Sequence, residues 1–69
     1  MNAAERNAKI TSIIKGMKDG EVKLFQSGAK VYRDSYVHFG YSVVAPDGDT
    51  SIVGVSQRHA INLTLGSYR

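Results

Sequence analysis

Hydrophobic periodicity changes once along this 69-residue chain, from a helical to a strand period, and the change falls at Glu21. Before it, Ile10, Ile13, Ile14 and Met17 recur at i, i+3, i+4 and i+7, the spacing of one helical face, and Ala3 extends the stripe a heptad earlier. Asn2 followed by Glu5 reads as an N-cap with its capping-box partner. Lys15 and Lys18 place positive charge in the last turn, and Gly20 supplies a stop, so the pattern predicts a helix over about 3–18. Gly16 is either an interior weakness of about 1 kcal/mol relative to Ala or an earlier end. The face with Glu5, Arg6, Lys9 and Lys18 is solvated.

After Glu21 the chain alternates. Glu21–Gln26 and Ala29–Arg33 flank Ser27-Gly28 and read as two short strands joined by a two-residue turn, with a second turn, clean or bulged, at Asp34-Ser35. Tyr36–Ala45 and Asp49–Arg58 flank Pro46-Asp47-Gly48, which has the chemistry of a three-residue hairpin loop with a G1 bulge. That loop pairs Ala45 with Asp49 and hence Val43 with Ser51, Tyr41 with Val53, Phe39 with Val55 and Val37 with Gln57. In 59–65, Ile61, Leu63 and Leu65 alternate with Ala60, Asn62 and Thr64, which favours a strand over a short helix capped by Ser56. The expected architecture is α+β, one N-terminal helix packed on a four- to five-stranded antiparallel sheet over about 21–66, all within one domain spanning 1–69. The stripe covers Val37, Phe39, Tyr41, Val43, Val53 and Val55, and Ile13→Ala at the centre of such a core costs about 2–5 kcal/mol.

Composition narrows the functional classes. The chain has no cysteine, so disulfides are impossible, and a body this small is often stabilised by self-association. No apolar run approaches the length of a membrane span, and the N-terminus has charges where a signal peptide needs an apolar core. The expectation is a soluble, cytoplasmic protein without membrane association. Nine Lys and Arg against six Asp and Glu give a net charge of +3, which suits acidic partners or is ordinary solvated surface.

Two arrangements point to binding. In the second hairpin the expected register sets Gly40 against Gly54, removing both side chains at one level, with Tyr36 opposite Arg58 and His38 opposite Ser56. This reads as a shallow groove rimmed by Tyr36, His38 and Arg58, or as a bend in a strongly coiled hairpin. In the first hairpin Lys30 faces Phe25 and Lys23 faces Tyr32, an alternation of cation and aromatic able to hold a single nucleic-acid strand, or ordinary cross-strand pairing. Arg33 projects to the face opposite Lys30.

The residues for catalysis or cofactors are missing as patterns. His38 and His59 do not make a zinc site without cysteines, Asp47-Gly48-Asp49 is explained by turn chemistry, and no nucleophile elbow, dinucleotide fingerprint or phosphate loop occurs. No enzyme activity, cofactor or metal is expected. The reading is a small protein-interaction or inhibitor module acting by contact, with a homodimer and a nucleoprotein target both open. The alternative is a nucleic-acid-binding module. The candidate binding residues are Lys23, Lys30, Tyr32, Arg33, Tyr36, His38, Gly40, Gly54 and Arg58.

Overall fold

The computed structural model describes residues 2–69. Helix α1 (Ala3–Lys15) is followed by β1 (Val22–Leu24), β2 (Lys30–Arg33), a short 3-10 turn (His38–Gly40), β3 (Tyr41–Val44), β4 (Ser51–Val55) and helix α2 (Gln57–Leu65). The strands form one antiparallel meander in the order β1-β2-β3-β4. The helices pack on each other, and their apolar sides meet one face of the sheet, so the fold is α+β with a helix at each end.

The start of α1 follows its cap: the Glu5 N–H donates to the Asn2 side-chain oxygen at 2.8 Å. Its end comes earlier than Lys18. Gly16 is the C-cap, its N–H bonding to the Ser12 carbonyl and the Met17 N–H to the Ile14 carbonyl, so the weak residue ends the helix and Met17 enters the core from beyond it. Gly20 instead serves a turn at φ +88°, where the Glu21 N–H bonds to the Lys18 carbonyl.

Both hairpin registers differ by one residue from the expectation. In the first, Lys23 lies opposite Val31 and Leu24 opposite Lys30. The Gly28 N–H donates to the Phe25 carbonyl and the Phe25 N–H to the Ala29 carbonyl, so the loop has three residues, with Gly28 at φ +98°. In the second, Val43 pairs with Ile52 and Val44 with Ser51, and the Ala45 N–H bonds to the Thr50 carbonyl. The Asp47 carboxylate accepts the N–H groups of Asp49 and Thr50 at 2.8 and 3.0 Å and the Thr50 hydroxyl at 3.1 Å, which draws Asp49 into the loop. The slip turns Ile52 inward and Val53 outward. Gly54, at φ +80°, is then the extra residue of a bulge, and the bulge returns the pairing to Tyr41 opposite Val55.

The segment 36–40 is not strand. The Asp34 carboxylate accepts the Tyr36 N–H at 2.9 Å in an Asx turn. Asp19 accepts both the N–H and the hydroxyl of Ser35, at 2.7 and 3.0 Å. Phe39 and Gly40 then take positive φ in succession, a conformation no strand contains. The expected pairs Phe39–Val55, Val37–Gln57, Tyr36–Arg58, His38–Ser56 and Gly40–Gly54 therefore do not form, and Val53 lies opposite Ser42 rather than Tyr41.

Residues 59–65 are helical, and the sheet ends at Val55. Ser56 caps α2 by accepting the His59 N–H at 3.1 Å. Ala60, Ile61 and Thr64 are buried together, and the Thr64 hydroxyl donates to the Ala60 carbonyl at 2.8 Å, so the helical repeat outweighs the Ile61/Leu63/Leu65 alternation. The core comprises Ile14, Met17, Phe25, Val31, Tyr41, Val43, Val55, Ala60 and Ile61. Ile14 is fully buried where Ile10 and Ile13 only flank the core, and Phe39 and Val53 lie outside it altogether.

Candidate functional site: the uncovered face of the sheet

The inner face carries Lys23, Phe25, Val31, Arg33, Tyr41, Val43 and Ile52 toward the helices. Strand alternation sends the intervening residues to the opposite face. There Val22, Tyr32, Ser42 and Val53 form one cross-strand row, and Leu24, Lys30, Val44 and Ser51 form the next. Neither helix covers this face. Leu24 and Val53 are 68% and 67% exposed, and Val22 is 49% exposed. Single exposed apolar residues are ordinary, but several in adjacent rows of one face form a patch.

At the end of β3 and β4 the 3-10 turn adds exposed aromatics. Its backbone lies against the bulge: a Cβ on Gly54 would stand 3.1 Å from the His38 carbonyl oxygen. Phe39 is held at φ +64° and is 66% exposed, with the His38 ring edge-on to it at 4.1 Å between centroids. Tyr36, in the preceding turn, is 94% exposed. A bulky residue at positive φ is strained, and strain of this kind concentrates where a side chain must be aimed at something.

The nine candidate residues are not gathered into one surface. Lys30 and Tyr32 sit side by side in β2 and face outward with the apolar rows through their cross-strand partners. Tyr36 and His38 are exposed on the aromatic turn, and Gly40 joins that turn to β3 at φ +87°, its carbonyl accepting the Asp34 N–H. Gly54 accommodates the close backbone of His38 rather than facing Gly40. Lys23 lies on the helix side, 3.6 Å from the Glu21 carboxylate. Arg58 is exposed in the first turn of α2. Arg33 is turned inward: its Nη1 donates to the Met17 carbonyl at 2.8 Å and to the Tyr41 hydroxyl at 3.1 Å, with the guanidinium 5.3 Å from the Tyr41 ring centroid. Gln57 donates to the same hydroxyl at 3.2 Å, so one polar cluster ties the segment just after α1 to β2, β3 and α2. Sequence reasoning placed Val53 and Phe39 in the core and passed over Val22 and Leu24. An Asx-capable Asp47 beside Thr50 was the signal for the register that exposes Val53.

Among the described residues, no three His, Cys, Asp or Glu side chains gather to hold a metal ion, and no helix is long and apolar enough to cross a membrane. No protein-family description, curated protein sequence or solved structure matches the chain.

Proposed function

We propose that this protein acts by contact with another protein, through the uncovered face of its sheet. One observation carries the reading: Val22, Leu24, Tyr32 and Val53 stand on the face opposite the helices, with Lys30 the one charged side chain among the strand residues of their two rows. Fully desolvated apolar and aromatic side chains dominate protein interfaces, with polar groups at the rim. Tyr36 and Phe39 add exposed aromatic area in the turn before β3. A phosphate-tracking surface needs several cations together with its aromatics, whereas Lys23 and Arg33 lie on the other face. That distribution favours a protein over a nucleic acid as partner.

Val53→Lys adds a charge to the patch at its β4 end and removes no buried group. The expected result is stability within about 0.5 kcal/mol of wild type, with capture of a protein partner from nuclease-treated extract falling about tenfold or more. Light scattering distinguishes the occupants. A wild-type dimer that Val53→Lys converts to monomer identifies the partner as a second copy and upholds the reading. Capture that requires intact nucleic acid, or that Val53→Lys leaves unchanged, overturns it.

A further inference from the structure

A groove of about 640 Å³ lies between α1 and the β1–β2 hairpin, and of the contact surface proposed above only Leu24 lines it. Ile10, Ile13 and Phe25 line it with apolar surface, and Arg6, Lys9 and Arg69 bring three cations to it without a single carboxylate side chain. All three cations are exposed, and none is in an ion pair among the described residues. They come from two parts of the chain: Arg6 and Lys9 from α1, and Arg69 from the tail after α2. The tail is tied down where the Ser27 hydroxyl donates to the Tyr68 carbonyl at 3.0 Å.

The wall formed by β1 is also a free strand edge. The Arg33 N–H donates to the Glu21 carbonyl and the Phe25 N–H to the Ala29 carbonyl. Alternation along an antiparallel pair therefore turns the peptide groups of Val22 and Leu24 away from β2, toward the open edge. We infer that this groove binds an extended acidic segment of a partner protein, added as a strand beside β1, whose helix-facing side chains, every second residue, set apolar groups on the Ile10–Ile13–Phe25 floor and carboxylates between them against Arg6, Lys9 and Arg69. Three cations drawn from separate parts of the chain match several anionic side chains better than the one headgroup of an amphiphile. An apolar floor beside an unpaired edge matches a peptide better than a phosphate backbone.

The probe is a short fluorescent peptide in which every second residue is in turn Leu and Glu, with Thr between them, titrated into the intact protein and read by anisotropy. The expected result is saturable binding that weakens with salt. A Lys/Leu peptide and a poly-Glu peptide of equal length should bind at least about tenfold more weakly. The double variant Arg6→Glu/Lys9→Glu changes only exposed side chains of α1, and circular dichroism checks that its fold persists. It should lose about tenfold in affinity, while Val53→Lys, on the other surface, should lose none. Methylating alternate backbone nitrogens of the probe should also abolish binding. The inference is overturned by poly-Glu binding as tightly as the Glu/Leu peptide, by the double variant or the methylated probe binding like the originals, or by a single-stranded oligonucleotide displacing the probe at lower concentration than unlabelled peptide does.

Discussion

Phe39 and Gly54 show how two backbone positions set what the exposed end of the hairpin presents. Gly54 combines φ +80° with a neighbour where a Cβ would stand, so Gly54→Ala meets both left-handed strain and the His38 carbonyl. It should cost about 1–3 kcal/mol in urea unfolding, and a smaller loss would mean that the turn moves aside freely. Phe39→Gly is the converse case. It removes left-handed strain of about 1–2 kcal/mol, against about 0.4–1 kcal/mol of added unfolded-state entropy and the loss of the ring contact with His38. Its expected melting temperature is no lower than wild type although a large aromatic is gone. A clear drop would show that the ring supports the fold rather than facing a partner. Gly54 was legible as a glycine with a reason to be there. The reason itself was not, because His38 reaches it from outside the strand ladder.

Among the elements, α1 was the most legible, since its cap, its stripe and its weak Gly16 all act within a turn or two of chain. Which of its isoleucines is central was not legible, because the stripe is broader than the seam it fills. Ile14 is fully buried beneath the sheet and α2, and Ile14→Ala should cost about 2–5 kcal/mol. Ile13 is only half-buried, and its replacement by Ala should cost less than half as much in the same denaturation series. Equal costs would contradict the packing. The hairpins were legible as hairpins, but each slipped by a single residue because side chains, Asp47 above all, add a residue to a loop that backbone turn types alone make shorter. The end of the chain carried both periods. The helix prevails there because Ser56 caps it and because α1 offers Ala60 and Ile61 a surface to pack against.

At the scale of the whole molecule, the Cα atoms span 35 × 25 × 16 Å, the depth of a sheet with a single layer of helices. One layer buries one side of the sheet, which is why the other is open to solvent. Three carboxylates, those of Asp19, Glu21 and Asp47, hold the irregular segments between elements. The Ser35 N–H and hydroxyl lower the pKa of Asp19, the Lys18 N–H lowers that of Glu21, and the N–H groups of Thr50 and Asp49 lower that of Asp47. A carboxyl whose folded pKa lies below its unfolded one contributes stability above the unfolded value and loses it as pH falls through the folded one. The melting temperature should therefore decline between about pH 5 and about pH 2. An Asp19→Asn/Asp47→Asn variant should show a flatter acid limb, and an unchanged limb would remove these contacts from the account.

By itself the sequence determined where the chain changes from helix to strand, where it reverses, and how its first helix begins. Those outcomes depend on residues within a few positions of each other, and the turn and cap residues carry them directly. Only the tertiary structure decided which face of each strand is wet, because a face depends on register, and register depends on contacts that bring distant residues together. Asp19 grips Ser35, His38 crosses Gly54, and the bulge inverts the alternation between Val53 and Val55. The candidate surface follows from that inversion: Val53 looks out and Val55 looks in because one extra glycine lies between them.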